Sequence, residues 1–315
     1  MTLSSKFRQL GRVMTDMRWW PFYLQRRFMR PALRERLAAL LAARLRPGIV
    51  VERPTNAIAA SGDEINRVET LRREGISLFG QLLTATQAAE LRDYFLAKPV
   101  YDPYRSGSES FLPDSEVRHP DCHIAHHDAR DILMAPYLLA LANRSDILDI
   151  VGRFLGCKPT LGYIATWWSY HTALGAQQAE HFHRDVDDWR FVKLFIYLTD
   201  VGAENGPHIY VSQSSSSLAL REIRRFDDQE VVNAFGNENV MELTANAGEG
   251  FLEDTFGIHK GQPVAQGQRL IFQAVYSMFP LPYGPKVPVA RLGEVTLDGG
   301  DRLDPWINRL YLGNA

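Results

Sequence analysis

Three residues in this chain have the types and spacing that bind a metal ion from one side. His183 and Asp185 are separated by a single residue, and His259 follows much later in the chain. In a β-strand, residues i and i+2 point the same way, so the imidazole and the carboxylate can approach one ion together. Two histidines and one carboxylate form the facial triad that holds non-haem Fe(II) and leaves the opposite positions open. We therefore predict an iron site formed by His183, Asp185 and His259.

A positive charge follows the second half of this site. Arg269 lies ten residues after His259, and a guanidinium can bind a carboxylate through two parallel hydrogen bonds. An iron site beside a carboxylate site is the combination that a 2-oxoglutarate-dependent oxygenase needs, so Arg269 is the predicted anchor for 2-oxoglutarate. Lys193 stands in an otherwise apolar strand. It is a second candidate for co-substrate contact if it points inward, because a buried lysine is costly unless it is paired; alternatively, it faces outward or reaches the rim.

Other residues near the motif offer a competing ligand set. His181, His183 and Asp185 share one face of the predicted strand, and a His-x-His pair is also how a cupin metal motif begins. A cupin would normally add a glutamate a few residues later, whereas Asp187 and Asp188 follow here, and we expect these two aspartates to serve a turn. The combined local pattern favours His183 over His181 as the ligand.

A second group of histidines is less suited to metal binding. Four of them lie in one short segment: His119, His123, His126 and His127. Their spacing lacks a complete set of metal ligands. We predict no metal there.

The composition excludes some classes of protein. The chain has 315 residues and a formal net charge of −2, which provides no electrostatic basis for binding nucleic acid. Cys122 and Cys157 are the only cysteines, so no disulfide framework is expected and a reducing compartment is favoured. No apolar run approaches the ~18 residues that span a bilayer, and we recognise no secretory signal. We therefore expect a cytoplasmic protein, with peripheral contact at the inner membrane face as one possibility.

The first part of the chain is strongly basic. Residues 1–47 carry eleven Lys or Arg against two acidic residues, a net charge of +9, and the remaining 24 basic and 35 acidic residues give −11. The segment after Pro31 predicts an amphipathic helix whose leucines fall at helical spacing. These leucines are Leu33, Leu37, Leu40, Leu41 and Leu45. With Trp19 and Trp20 beside arginines, the arm could touch an anionic membrane or an acidic carrier protein. The alternative is a helical layer docked on the main domain with its arginines in water.

The rest of the chain changes from helical to strand-like patterns near Pro159. We predict helices over residues 84–96 and 130–155, and a helical insert over residues 218–235 that ends at Gly236. Short aromatic and β-branched segments predict the strands. These strands are Thr166–Tyr170, Glu180–Asp185, Arg190–Leu198, His208–Val211, Glu249–Glu253 and Gln268–Met278. Many short strands after a helical start predict a mainly β fold, a β-sandwich or jelly roll with flanking helices.

Both halves of the predicted iron site resemble the phytanoyl-CoA dioxygenase family of Fe(II)/2-oxoglutarate-dependent oxygenases. The first half contains HFHRDVDDWRFVKLFIYLTD and NGPHIYVS, and the second contains DTFGIHKGQP followed by Gln268 and Arg269. Weaker similarity runs upstream, so the resemblance covers residues 70–280. Many members have Pro-Gly-Ser-His where residues 212–215 of this chain are Ser-Gln-Ser-Ser. This departure removes no ligand but changes the expected rim of the pocket.

The resemblance implies a double-stranded β-helix core of cupin-like jelly-roll type, with Fe(II) held by His183, Asp185 and His259 and 2-oxoglutarate held by Arg269. Residues 1–60 would form a basic helical arm packed on or extending from the core, and residues 61–315 the oxygenase domain. The implied reaction uses O2 to hydroxylate an unactivated C–H bond of a small organic, natural-product or lipid-like substrate, with release of succinate and CO2. Halogenating relatives have lost the carboxylate ligand, so Asp185 favours hydroxylation, with desaturation or ring chemistry still open.

Two other classes of protein remain compatible with the sequence. One is a cupin-type metal dioxygenase that does not use 2-oxoglutarate, and Arg269 at its spacing after His259 argues against it. The other is a non-catalytic jelly-roll binding protein. No structural requirement would preserve the three ligands and the arginine together, which argues against that class as well.

Overall fold

The computed structural model describes residues 11–45, 62–105, 107, 109–295 and 303–313. The helices are α1 (Trp19–Gln25), α2 (Pro31–Ala42), α3 (Gly62–Glu74), α4 (Ala85–Leu96), α5 (Ala129–Met134), α6 (Leu138–Ala142), α7 (Ser145–Leu155) and α8 (Asp228–Phe235). The strands are β1 (Ile76–Gln81), β2 (Val100–Tyr101), β3 (Ile124–His127), β4 (Thr160–Tyr170), β5 (Phe191–Tyr197), β6 (His208–Val211), β7 (Val240–Leu243), β8 (Glu249–Glu253), β9 (His259–Gly261), β10 (Gln268–Ser277), β11 (Ala290–Arg291) and β12 (Leu312–Gly313).

Two antiparallel sheets form the core. The large sheet has the strand order β1-β8-β5-β10-β4-β3-β2, and the small sheet has the order β7-β6-β9. Along the chain, the strands cross between the sheets: β5 lies in the large sheet, β6 and β7 form a pair in the small one, β8 returns to the large sheet, β9 lies in the small one and β10 in the large one. His183, which follows β4, joins the edge of the small sheet by pairing with His259 of β9. This alternation is the winding of a double-stranded β-helix, so the predicted fold class is confirmed.

Strand β5 shows how the sequence builds both sides of the large sheet. Alternate side chains of a strand point to opposite faces. Leu194 and Ile196 face the main hydrophobic core, which includes side chains of the flanking helices, whereas Phe195 and Tyr197 face the space between the sheets. Both faces are therefore covered, which explains why β5 is apolar almost throughout. Lys193 lies on the same face as Phe195 and is the exception.

The helices differ from the predictions in instructive ways. Thr84 caps α4 through a capping box with Gln87, and the helix predicted over residues 84–96 is confirmed. The single helix predicted over 130–155 is instead three helices. Pro136 and the positive φ of Tyr137 (64°) separate the first two of them. The predicted insert over 218–235 is helical only in α8. Leu220 has a positive φ of 46°, and its carbonyl oxygen accepts a hydrogen bond from Arg184.

The segment that carries His183 is not the regular strand that we predicted over residues 180–185. It makes isolated bridges at Phe182 and His183, and a short 3-10 turn precedes them. Its side-chain directions are therefore set by local pairing with β9 and its neighbours. A continuous strand with a two-residue repeat does not exist there.

Helix α2 packs on the core through part of the predicted apolar face. Three of the five predicted leucines pack against the core: Leu37, Leu41 and Leu45. Leu33 and Leu40 are exposed instead. The buried Ala38 and Ala42, four residues apart, let the helix backbone approach the core closely. The predicted boundary at residue 60 lies outside the described residues. No helix in the described ranges has the length and apolarity to cross a membrane.

Candidate metal centre

His183 and His259 lie directly opposite each other at the edge of the small sheet. The backbone N–H of each residue donates to the carbonyl oxygen of the other, at 3.0 Å in both directions. Opposite residues of an antiparallel pair carry their side chains on the same face. The two imidazole rings are accordingly 4.3 Å apart between centroids. Backbone pairing thus brings together two residues that are distant in the sequence.

Each imidazole is oriented by a hydrogen bond at Nδ1. His183 Nδ1 lies 2.9 Å from the carbonyl oxygen of His181, and His259 Nδ1 lies 3.0 Å from that of Gly257. Because a carbonyl oxygen only accepts, Nδ1 carries the proton and Nε2 keeps its lone pair. Burial, reinforced by the neighbouring His259, holds the pKa of His183 well below its usual value. Both Nε2 atoms are therefore ready to bind a cation.

The carboxylate of Asp185 completes a set of three ligand atoms. Its Oδ1 lies 3.6 Å from Nε2 of His183, and its Oδ2 lies 3.3 Å from Nε2 of His259. One ligand atom from each residue lies within 4.8 Å of the others. Ligand atoms at about 2.1 Å from one ion and at right angles to each other are about 3 Å apart. The observed spacing therefore suits a single ion.

Lys193 on β5 points into the site and contacts two carboxylates. Its Nζ lies 2.6 Å from Oδ2 of Asp185 and 3.3 Å from Oδ2 of Asp187. Burial raises the pKa of Asp185, but the adjacent ammonium of Lys193 lowers it, and the resulting pKa lies well below the usual value. Burial also raises the pKa of Asp187, which is farther from the ammonium. Of the two orientations considered for Lys193, the inward one is observed, with carboxylates as its partners.

Arg269 lies near the start of β10 with its guanidinium buried. Nη2 donates to Oγ of Ser169 at 2.9 Å, whereas Nε has no partner among the described residues. Nη2 also lies 3.6 Å from the position that a Cβ would take on Gly261. Gly261 and His259 are two residues apart on β9 and so share a face. The guanidinium therefore lies beside the face that carries His259, with donor capacity left for an anion.

A neutral acid–imidazole pair lies behind His259. Glu253 at the end of β8 is fully buried, and its Oε2 lies 2.8 Å from Nε2 of His208. Its Oε1 lies 3.9 Å from Nδ1 of His259. Burial raises the pKa of Glu253 to about 8 and lowers that of His208 to about 3, so the acid holds the proton at neutral pH. The sequence reasoning missed both residues, although a glutamate inside the apolar strand β8 was a usable signal.

The N-terminal helices hold the loop that carries the carboxylate ligand. Gln25 is fully buried, and its Nε2 donates to the carbonyl oxygen of Val186 at 2.7 Å. Nε of Arg26 donates to the same oxygen at 3.1 Å. Arg34 donates to the carbonyl oxygens of Asp188 and Gln25. These contacts could not be inferred from spacing, because they join residues far apart in the sequence.

Asp188 serves the turn after the motif, as predicted. Its Oδ1 accepts from the backbone N–H of Trp189 at 2.7 Å, and its Oδ2 accepts from that of Phe279 at 2.8 Å. Burial raises the pKa of Asp188 to about 7. The side chain therefore ties the turn to the end of β10.

The other histidines do not join the metal centre. The side chain of His181 is exposed, and only its carbonyl oxygen meets the site. Nδ1 of His123 lies 2.8 Å from the carboxylate of Glu180. Nε2 of His127 accepts a hydrogen bond from Nε1 of Trp168 at 3.1 Å. The histidines at 123 and 127 thus have separate partners.

Comparison with known proteins gave matches among solved structures alone. No protein-family model matches the chain. No curated protein matches it either. The similar structures include SnoN from nogalamycin biosynthesis, described as a non-heme alpha ketoglutarate dependent epimerase, at 16% identity over 68% of this chain and 82% of SnoN, with a TM-score of 0.49.

Two further similar structures were found with 2-oxoglutarate bound. HygX from Streptomyces hygroscopicus, with nickel and 2-oxoglutarate, is 14% identical over 81% of this chain and 100% of its own, with a TM-score of 0.49. EctD from S. alaskensis, with 2-oxoglutarate and 5-hydroxyectoine, is 20% identical over 74% of this chain and 82% of EctD, with a TM-score of 0.46. At these levels of similarity, membership of the phytanoyl-CoA dioxygenase family stays a prediction.

Proposed function

We propose that this protein is an Fe(II)- and 2-oxoglutarate-dependent dioxygenase of the phytanoyl-CoA dioxygenase family. It would hydroxylate an unactivated C–H bond of a small organic, natural-product or lipid-like substrate and release succinate and CO2. The observation that carries the proposal is the convergence of His183 Nε2, His259 Nε2 and the Asp185 carboxylate within 4.8 Å. Two neutral imidazoles and one carboxylate are a donor set suited to Fe(II) with open positions for other ligands.

The residues also fit 2-oxoglutarate as the co-substrate. Arg269 is a buried cation whose Nε lacks a partner in the described part of the chain. An unpaired buried charge is unfavourable, and a carboxylate would remove that cost through charge-assisted hydrogen bonds. Ser169, which already accepts from Arg269, can donate its hydroxyl proton to the same carboxylate. We propose Arg269 as the residue that holds the co-substrate.

Bound Fe(II) would activate O2, the oxidant, for attack on a C–H bond, with 2-oxoglutarate giving two of the electrons that O2 takes up. The chain itself provides ligands, orientation and charge balance. His183 and His259 would bind the ion through Nε2, because Nδ1 of each is already committed to a carbonyl oxygen. Asp185 would bind it as the anionic ligand, and Lys193 would keep that carboxylate ionised and hold one of its oxygens. Burial of both imidazoles limits the access of water.

The two competing classes have less support. A cupin-type site would use His181, whose side chain is exposed and lies apart from the three ligand atoms. A binding protein without activity would not need Arg269 to be buried without an anionic partner beside a set of metal ligands. We therefore propose the oxygenase function ahead of both.

Uncoupled turnover of the co-substrate would test the proposal. The purified protein is incubated in air with Fe(II) and labelled 2-oxoglutarate, without added substrate, and labelled succinate or CO2 is measured. Release above that of a protein carrying both His183→Ala and His259→Ala would support the oxygenase. Metal binding without affinity for 2-oxoglutarate would favour the cupin-type alternative. Binding of neither would favour a non-catalytic protein.

A further inference from the structure

The basic arm has an exposed apolar surface that no described residue covers. Four side chains within residues 11–25 are exposed although they are apolar, and we call them the outer patch. They are Met14 (81% exposed), Met17 (73%), Trp20 (58%) and Leu24 (45%). Trp20 and Leu24 are about one turn apart on α1, and Met14 and Met17 precede that helix across a break at Asp16. Scattered exposed apolar residues need no explanation, but a group of this size in one short stretch of the chain does.

The opposite side of the same segment is already occupied by the core. Phe22 and Gln25 are buried, and Arg18 donates to the carbonyl oxygens of Gly284 and Pro285. Helix α1 is thus held against the main domain through one face. The outer patch is presented outward as a consequence of that docking. The exposure of the outer patch therefore does not mean that helix α1 is unpacked.

The described part of the arm that carries the outer patch is also positively charged. Five arginines of the arm are exposed: Arg12, Arg27, Arg30, Arg36 and Arg44. The two acidic residues of residues 11–45 do not offset them, because each is bonded to an arginine. Asp16 binds Arg18 at 2.7 Å, and Glu35 binds Arg190 at 2.5 Å. The arm therefore combines exposed apolar groups with unneutralised cations.

We propose that the outer patch and the exposed arginines of the arm bind the surface of an anionic lipid membrane. A lipid surface offers a partner for both kinds of exposed side chain. The boundary of its acyl chains accepts methionine, leucine and tryptophan side chains, and its phosphates pair with arginines. A tryptophan at such a boundary is favourable because its ring is partly apolar and partly polar. Binding in the plane of the surface also agrees with the finding that no helix in the described ranges can cross a bilayer. An acidic protein would match the charges but leave Trp20 and the methionines without an apolar partner.

Vesicle co-sedimentation of the full chain tests this inference. The expected result is binding to phosphatidylcholine vesicles that contain phosphatidylglycerol, little binding to pure phosphatidylcholine, and release as sodium chloride screens the charges. Met17→Ser combined with Trp20→Ser, and separately Arg27→Gln combined with Arg30→Gln, should each weaken binding on the order of tenfold. Val117→Ser is the matched control, because Val117 is at least as exposed (81%) as Met17 and Trp20 but lies outside the arm. All variants alter exposed side chains and should keep the melting temperature of the wild type.

Three outcomes would overturn the inference. The chain could fail to sediment with either vesicle at low salt. It could bind neutral and anionic vesicles equally, or the arm variants could bind like wild type. If the chain ignores vesicles but binds polyglutamate through the same arginines, the partner is an acidic protein. None of these results depends on oxygenase activity, so the two proposals fail independently.

Discussion

The side-chain amide of Gln25 donates to the carbonyl oxygen of Val186 at 2.7 Å, so the N-terminal arm is hydrogen bonded to the residue next to Asp185. Oε1 of Gln25 has no partner in the described structure. The amide therefore stabilises the contact through the hydrogen bonds that its Nε2 donates. The arm is therefore in contact with the loop of the metal centre. This relationship gives the first prediction.

Replacing Gln25 by methionine should weaken metal binding while the chain stays folded. The substitution keeps the size of the side chain but removes one of the two donors to the carbonyl oxygen of Val186. Because Arg26 still donates to that oxygen, the loss is that of a single hydrogen bond, about 0.5–1.5 kcal/mol. A loosened loop holds Asp185 less firmly, and loss of such support typically lowers metal affinity on the order of tenfold. Titration of the metal-free protein with Co(II) measures the effect. Leu24→Met, on the exposed side of α1, is the control, and equal affinities for the two variants would contradict the prediction.

The three ligand atoms predict which histidines are needed for metal. His183→Ala and His259→Ala should each abolish tight Co(II) binding, because each variant keeps only two of the three protein ligands and water would have to take the place of the third. His181→Ala should bind Co(II) like the wild type, since its imidazole is exposed. The absorption spectrum of the bound cobalt reports the result directly. Retention of metal by the His183 variant, with loss in the His181 variant, would move the site to the cupin arrangement.

Arg269 should control affinity for 2-oxoglutarate and leave metal binding intact. Truncating one partner of a buried, charge-assisted pair costs about 2–5 kcal/mol, so Arg269→Ala should raise the dissociation constant at least ~30-fold. Calorimetry of the Co(II)-loaded protein with 2-oxoglutarate measures this change. Gln268→Ala is the matched control, because the amide of Gln268 binds Asp114 at an exposed position. An unchanged dissociation constant in the Arg269 variant would place the anchor elsewhere.

The contacts of Lys193 with Asp185 and Asp187 predict that removing its charge changes how much a metal ion stabilises the protein. Without its ammonium, Asp185 and Asp187 lose their cationic partner, and breaking such a buried pair costs about 3–5 kcal/mol. Lys193→Met should therefore lower the melting temperature of the metal-free protein. Added Co(II) should then stabilise the variant more than the wild type, since the ion restores the missing positive charge. If Co(II) raised the melting temperatures of the variant and the wild type by the same amount in thermal scans, this interpretation of the contact would be contradicted.

Glu253 predicts a dependence of stability on pH. Its pKa is raised by burial from 4.5 to about 8, so the folded state retains a proton that the unfolded chain has lost. The stabilisation is present below pH 4.5 and declines as pH rises through about 8, because folding then requires either proton uptake or a buried charge. Glu253→Gln keeps the neutral form at every pH. Its melting temperature should fall less than that of the wild type between these limits, and parallel curves would contradict the assignment.

Residue type and spacing in the sequence predicted the three candidate ligand residues and the candidate arginine anchor. That prediction used only the one-residue separation of His183 and Asp185 and the position of Arg269 after His259. Short segments rich in aromatic and β-branched residues likewise predicted that the fold is mainly β. The helix that begins after Thr84 could be predicted from the sequence because the hydrogen bonds of its cap are made within one turn. Such features depend on near neighbours, which the sequence shows directly.

The tertiary structure decided what depends on contacts between distant segments. The pairing of His183 with His259, the burial of Glu253 against His208 and the attachment of Gln25 to Val186 each join residues far apart in the chain. The same cause explains why Leu33 and Leu40 of α2 are exposed, although they were predicted on the same apolar face as the leucines that pack against the core. Helical spacing shows that a helix has two faces, but the shape of the surface on which it docks selects the buried one.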